Sequence, residues 1–413
     1  MNVVVVKTWD EPSAGGVELL LAGFPPNGGV DLRYPPSSNP DIDWFAVGPI
    51  SQPCPPDHKV AAHRSQCTLR AMVEPVPFDE AAALIGAVRS GSAGAEAIPD
   101  PPVVVVDLDT RPVKGETSGE PLRPPAMWPC VVIAVSTNAT QPPGGADVYL
   151  SAAAARIDPL AGPLRDLGTI AAAIAECPQA ATTLAQVLRI HSGDVERDLL
   201  TESIAYAALQ GGAEHRDWLA SNRRRRTDPD GSPPVRVSRS GDLLEIVLDR
   251  PARRNAYSAG MRDSLVAALE LAASDPTITE VHLRGSGPSF CSGGDLSEFG
   301  EVADPATAHQ IRMARSAGYH SHAIASRLVA HVHGACVGAG VELPAFAGRV
   351  LADPGTTFRL PEVSMGLIPG AGGTASIPRR IGRQRTALLA LAGHELDAET
   401  ALLWGLVDEI VPA

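Results

Sequence analysis

Three segments in the last third of the chain contain glycine-rich turns, and two of them also carry a glutamate, a pattern that can bind a negatively charged oxygen. Glycine permits positive φ angles and close backbone approach, so that N–H groups can point at a ligand. Amides at the start of a helix also form an anion site that suits an oxyanion. The segments are residues 289–296 (SFCSGGDL), 333–342 (HGACVGAGVE) and 360–374 (LPEVSMGLIPGAGGT).

The surrounding sequence predicts the elements that must position these turns. A hairpin is expected to turn at residues 240–242, where Ser, Gly and Asp separate two runs with strand character. Strands that alternate with helices after this hairpin indicate an α/β domain with a largely parallel sheet. The expected elements are helices at about 259–273 and 306–325 and strands at 280–284 and 328–332.

Upstream of this region the chain changes character twice. Residues 1–150 contain short β-branched runs bounded by Pro and Gly, which predict a motif-poor α/β domain with strands near 103–106 and 131–135. Residues 151–222 show the three-to-four spacing of amphipathic helices. Residues 223–234 begin with four arginines and continue with turn formers, which indicates a linker before a last domain at 235–413.

Composition narrows the function classes. The 413 residues exceed the usual size of one domain, and the formal net charge of −13 makes nucleic acid an improbable partner. The six cysteines form no C-x-x-C pair, which argues against a zinc ribbon or redox dithiol. The N-terminus lacks the pattern of a signal peptide or membrane span. We therefore expect a cytoplasmic protein with reduced thiols, no metal and no membrane association.

Five ordered motifs resemble the successive signatures of the crotonase (enoyl-CoA hydratase/isomerase) superfamily over about residues 235–413. They are DRPARRNAYS, SFCSGGDL, HGACVGAGVELPAF, LPEVSMGLIPGAGGT and GLVDEIVPA. The resemblance implies an α/β fold built as a ββα superhelix with an acyl-CoA cleft. It also implies an acyl-CoA substrate, no cofactor besides coenzyme A as carrier, and a homo-oligomer, a trimer or hexamer.

The resemblance assigns site residues one by one. It implies that the backbone N–H groups of Gly294 and Ala339 form an oxyanion hole, where Ala339 replaces the family's usual glycine. Glu342 and Glu362 fall on the positions of the two glutamates that hydratases use, with Glu342 expected to activate water and Glu362 to donate a proton. The residues implied to contact coenzyme A are Arg253, Arg254, Asp295 and Leu296.

Both glutamates together favour an enoyl-CoA hydratase. One alternative is a Δ3-Δ2 enoyl-CoA isomerase, which needs only the Glu362 position. A second is a cofactor-free oxygenase of the family, which lacks the pair of glutamates. A third alternative, from a different functional class, is a non-catalytic scaffold subunit. The family's C-terminal helices would follow residue 413, and residues 170–220 resemble them. Two histories fit this order. Either residues 1–150 are an inserted or duplicated core that has lost its motifs, or the chain is rearranged so that its tail precedes its core. We expect these helices to pack over the core near Glu342 and Glu362.

Overall fold

The computed structural model describes residues 74–93, 98–111, 122–138, 145–152, 162–222, 233–302 and 304–411. The first part of the α/β domain expected at residues 1–150, up to residue 73, and the arginine run at the start of the expected linker lie outside these ranges. Within the described residues, no helix is both long enough and apolar enough to cross a membrane.

A parallel sheet forms the first part of the described chain. Its strands run in the order β1 to β5, and they are β1 (Val76–Pro77), β2 (Val103–Asp107), β3 (Val131–Ser136), β4 (Val148–Ser151) and β5 (Gly162–Pro163). Helix α1 (Phe78–Ser90) packs on one face through Phe78 and Ile85. The strands predicted at 103–106 and 131–135 are therefore confirmed, and they are buried because β-branched runs occupy both faces.

Four helices follow the sheet and cover the C-terminal region. They are α2 (Leu167–Glu176), α3 (Pro178–Ile190), α4 (Val195–Gln210) and α5 (Ala213–Ser221). A buried ion pair joins α3 to the sheet, because Arg189 Nε donates to Asp147 Oδ1 at 2.9 Å. The same Asp147 accepts the N–H of Val132 through Oδ2. The helices predicted between residues 170 and 220 are thus present.

The C-terminal region contains two sheets. The larger has the order β14-β11-β9-β8-β7-β6, and the smaller has the order β10-β12-β13. All pairs except the β6–β7 hairpin and β12–β13 are parallel. The strands are β6 (Val235–Ser240), β7 (Leu243–Leu248), β8 (Glu280–Gly285), β9 (Leu328–Val332), β10 (Ala335–Val337), β11 (Arg349–Ala352), β12 (Thr357–Arg359), β13 (Leu396–Asp397) and β14 (Glu409–Ile410).

Helices between these strands complete the crotonase-like α/β fold. They are α6 (Ala259–Ser274), α7 (Pro305–Ala314), α8 (Ala317–Ala323), α9 (Ala339–Glu342), α10 (Gly373–Ala392) and α11 (Ala398–Trp404). The predicted hairpin and the helix near 259–273 are confirmed, and Gly241 turns the hairpin with φ of 63°.

The prediction of a single helix at 306–325 is wrong. The structure has α7 and α8 instead, because Ser316 leaves helical geometry and its hydroxyl caps the N–H of Tyr319 at 3.2 Å.

Candidate active site

Glu342 lies at the end of the short helix α9, where the chain turns sharply after β10. Gly338 makes that turn with φ of 51° and ψ of −116°, a conformation that residues with a side chain rarely adopt. The Glu342 side chain is buried, with 2% of its surface exposed. The hydroxyl of Ser376 in α10 donates to the Glu342 carbonyl at 2.8 Å, which holds α9 against α10.

The loop before α10 presents its amides to the Glu342 carboxylate. Glu342 Oε2 accepts the N–H of Ala371 at 2.7 Å and the N–H of Gly373 at 2.9 Å. A Cβ on Gly373 would lie 2.7 Å from Glu342 Cγ, so that glycine is needed for this approach. The first amides of a helix favour a negative group, and here they orient that carboxylate.

Glu362 lies beside the turn that carries α9. Its Oε1 is so close to Gly338 that a Cβ at that position would clash with it. Its Oε2 is buried and has no hydrogen-bond partner among the described residues. The structure therefore brings the two sequence-predicted glutamates together, one held by amides and the other with an oxygen left available.

A third glutamate, Glu202, enters the same region from α4. Its Oε1 accepts the N–H of Gly372 at 2.7 Å, and its Oε2 accepts the N–H and hydroxyl of Thr374 at 2.7 and 2.8 Å. Glu202 is 2% exposed. These contacts confirm the prediction that helices from residues 170–220 pack over the core near Glu342.

Sequence reasoning missed Glu202, although a signal was present. Val195, Leu199 and Glu202 recur at helical spacing on one side of α4, and all three are buried. A carboxylate on the apolar stripe of an amphipathic helix requires a buried partner. The partner could not be identified from the sequence, because it lies 170 residues away in the chain.

Burial changes the acidity of all three carboxyl groups. It raises the pKa of Glu342 to about 7, while the N–H groups of Ala371, Gly373 and Gly370 limit that rise. Burial, together with the charge of Glu342, raises the pKa of Glu202 to about 8. The same two causes raise the pKa of Glu362 well above its ordinary value. Like charges this close disfavour simultaneous ionisation, so the three groups titrate as a coupled set.

The two turns that carry the predicted oxyanion donors are neighbours. The N–H of Val337 donates to the Cys291 carbonyl at 3.0 Å, and a Cβ on Gly338 would lie 3.7 Å from Gly293 Cα. In the part of the chain that the structure describes, neither the Gly294 nor the Ala339 N–H donates a hydrogen bond. Both amides therefore retain the capacity to bind a ligand oxygen.

Two of the four residues implied to contact coenzyme A, Arg253 and Asp295, belong to one ion-pair cluster. Asp295 is buried and pairs with Arg250 at 3.0 Å and with Arg253 at 3.3 Å. Burial opposes ionisation of Asp295, but hydrogen bonds from Ser297 and the arginine partner lower its pKa overall. Arg254 is exposed, with its backbone in the left-handed region, and Leu296 is half-buried.

The cysteines near the turns are unsuited to nucleophilic chemistry. Burial raises the pKa of Cys291 to about 12 and raises that of Cys336 well above its ordinary value, so both thiols stay protonated. His333 forms a hydrogen bond through Nε2 with the Gly287 carbonyl at 2.9 Å, which fits a structural role. Among the described residues, no group of three or more His, Cys, Asp or Glu side chains could hold a metal ion.

Comparison with known proteins places this site in a family. Residues 238–413 match the family model described as enoyl-CoA hydratase/isomerase. The 2,3-dehydroadipyl-CoA hydratase of Escherichia coli (strain K12) is 36% identical over 177 residues, which cover 43% of this chain and 69% of that protein. The enoyl-CoA isomerase/hydratase fer4 of Mycosarcoma maydis is 33% identical over 179 residues, which cover 41% of this chain and 65% of that protein.

Part of the chain also matches solved structures. An enoyl-CoA hydratase/isomerase from Marinobacter aquaeolei is 27% identical, with a TM-score of 0.41, and the match covers 44% of this chain and 71% of that one. The chain thus spans about two thirds of the length of the curated relatives described above.

Proposed function

The chain belongs to the enoyl-CoA hydratase/isomerase family, and we propose that it adds water across the double bond of an α,β-unsaturated acyl-CoA thioester. One observation carries the proposal. Two carboxyl groups, Glu342 and Glu362, meet beside the turns whose Gly294 and Ala339 amides are available. Hydration needs this combination, because the water that attacks Cβ must lose a proton while Cα gains one.

The thioester carbonyl would accept hydrogen bonds from the Gly294 and Ala339 N–H groups. Negative charge moves onto this oxygen when water attacks Cβ, so donors aimed at it stabilise the enolate-like transition state. Removing one such donor typically costs about two to three orders of magnitude in rate. Because both donors are backbone groups, the Ala339 side chain can replace the usual glycine without removing the N–H.

The acidities support distinct roles for the two glutamates. Glu342, with a pKa raised to about 7, is substantially ionised near neutral pH and would take a proton from the attacking water. Glu362 has a buried Oε2 that receives no hydrogen bond among the described residues and a pKa raised well above its ordinary value, both of which favour its protonated form, so it would deliver a proton to Cα. The water oxygen bonds Cβ, one proton passes to Glu342, and one leaves Glu362. Proton exchange then restores both groups.

Coenzyme A would bind along the ion-pair cluster. Arg254, exposed beside the candidate site, suits the phosphates, because a guanidinium donates several hydrogen bonds to an anion. Asp295 would hold Arg253 in place rather than contact the anion itself, since their charges are opposite. The proposed reaction uses coenzyme A as a carrier and requires no other cofactor. Self-association as a trimer or hexamer stays a prediction, which a mass measurement in solution would test.

Product analysis with two substrates separates hydration from the nearest alternative. The full chain should convert crotonyl-CoA to 3-hydroxybutyryl-CoA, with one solvent deuterium at Cα when the reaction is run in D2O. A chain that only moves the double bond of a 3-enoyl-CoA to the 2-position is an isomerase. A chain that binds butyryl-CoA but transforms neither substrate is a scaffold.

A further inference from the structure

Four consecutive amides before and at the start of α10 bind two carboxylates in alternation. The N–H groups of Ala371 and Gly373 donate to Glu342, whereas those of Gly372 and Thr374 donate to Glu202. Gly372 has φ of 104°, and no side chain from its own residue caps the helix. The two glutamates therefore complete the hydrogen bonding that the beginning of α10 needs.

The loop also packs closely against side chains of α4. A Cβ on Gly370 would clash with the Tyr206 ring, and one on Gly372 would lie 3.1 Å from Leu199 Cδ2. Arg312 in α7 packs on the Tyr206 ring, with its guanidinium carbon 4.6 Å from the ring centre. Packing and hydrogen bonding from α4 thus act on Gly370, Gly372 and Thr374 of the loop.

We propose that Glu202 is a positioning residue for the hydration reaction, an inference that rests on the proposed function above. By holding the Gly372 and Thr374 amides, Glu202 fixes the peptide unit between them, which carries the Gly373 N–H, and restrains the unit just before Gly372, which carries the Ala371 N–H. These two N–H groups aim the Glu342 carboxylate. Glu202 acts through the loop, and it contacts neither water nor substrate in this account.

Burial raises the pKa of Glu202, but the three hydrogen bonds that it receives oppose this rise and favour the ionised carboxylate. Glu202 accepts three hydrogen bonds and faces only donors, namely the Gly372 N–H and the N–H and hydroxyl of Thr374. A glutamine has one accepting oxygen and one donating NH2 group. In either orientation, its NH2 group would face a loop donor and leave that hydrogen bond unmade. Glu202→Gln should therefore loosen the loop with almost no change in side-chain volume.

The test compares Glu202→Gln with Glu196→Gln in the full chain. Glu196 is an exposed carboxylate on the same helix, so it controls for a loss of charge from α4. Glu202→Gln should lower kcat for crotonyl-CoA by about tenfold or more and change KM by less than about threefold. Glu196→Gln should match the unaltered chain. Equal kcat values for the two variants would overturn the proposal.

A double-variant cycle separates positioning from a general loss of folded protein. If Glu202 acts through Glu342, Glu202→Gln should have little further effect on kcat in a Glu342→Gln chain. If Glu202 had only a structural role, Glu202→Gln would lower kcat by the same factor in the unaltered chain and in the Glu342→Gln chain. That result would overturn the proposal. If Glu202→Gln fails to fold, Thr374→Val removes one donor and Thr374→Ser keeps it, and only the valine variant should lose kcat.

Hydrogen–deuterium exchange provides a readout that does not depend on activity. Amides of residues 370–374 should exchange faster in Glu202→Gln than in the unaltered chain or in Glu196→Gln. Unchanged protection of this loop would refute the positioning role, whatever the enzyme does. An unaltered chain that hydrates no enoyl-CoA would instead refute the proposed function, while the exchange result would still decide the role of Glu202.

Discussion

Glu202 and Glu342 accept hydrogen bonds from alternate amides of one loop, although they lie on separate helices, α4 and α9. The candidate active site is thus built from two regions of the chain, the helices of residues 167–221 and the C-terminal region from Val235 onward. Because each carboxylate takes every second amide, a change to either one should be felt by the other through the loop.

Activity should depend on pH through Glu342. Its pKa is raised to about 7, so the ionised form that activates water is lost as the pH falls below that value. We expect log kcat/KM for crotonyl-CoA to fall with a slope approaching one per pH unit between about pH 6 and 5. Glu202 and Glu362 titrate with Glu342, so the midpoint belongs to the set. A constant kcat/KM from pH 5 to 8 would contradict this assignment.

Gly373→Ala should damage the site directly. The added Cβ would lie 2.7 Å from Glu342 Cγ and 2.8 Å from Pro369 Cβ, so the carboxylate or the loop must move. We expect a loss of about 1–3 kcal/mol in the free energy of unfolding, the usual scale of overpacking, and a fall in kcat. Gly260→Ala is the matched control, because a Cβ there meets nothing within 4 Å. Similar kcat values for both variants would count against this geometry.

Local patterns were enough to predict most elements of the core, but the contacts between distant segments were not. The hairpin and the strands at 280–284 and 328–332 follow from short apolar runs and turn residues, and the structure contains them. The break between α7 and α8 depends on a single cap at Ser316, which interrupts an otherwise continuous helical pattern.

For the candidate site, too, local sequence patterns did not predict contacts between distant segments. The family resemblance of the motifs predicted Glu342 and Glu362 as site residues, and each lies within a few residues of a glycine turn. Glu202 has no such neighbour, and its function depends on where α4 docks. Docking is decided by the summed burial of many side chains, including Leu199 against Phe346, which no local window contains.

A structure with a bound acyl-CoA would test the oxyanion hole. The Gly294 and Ala339 nitrogens should each lie about 2.7–3.1 Å from the thioester oxygen. The Gly293 and Gly338 backbones are already close, which makes this convergence possible. A thioester oxygen bound elsewhere, with either N–H directed at a protein carbonyl, would contradict the prediction.

Removing the N-terminal region should abolish activity. A truncated chain of residues 231–413 would leave the Gly372 and Thr374 amides without Glu202 and would uncover Phe346 and Ala375, which pack on Val195 and Leu199. We expect this chain to aggregate or to lose hydration, as size-exclusion chromatography and a crotonyl-CoA assay would show. A monodisperse and fully active truncated chain would prove this dependence wrong.

The hydration rate of crotonyl-CoA in the Glu342→Gln and Glu362→Gln variants tests the central claim most directly. Each change removes an ionisable carboxyl group and nearly preserves its shape, so general acid–base assistance should be lost. We predict that each variant lowers kcat by at least about a hundredfold, with a thermal unfolding midpoint close to that of the unaltered chain. Hydration that persists at the unaltered rate in Glu342→Gln, while Glu362→Gln abolishes double-bond migration, would contradict the account and identify an isomerase.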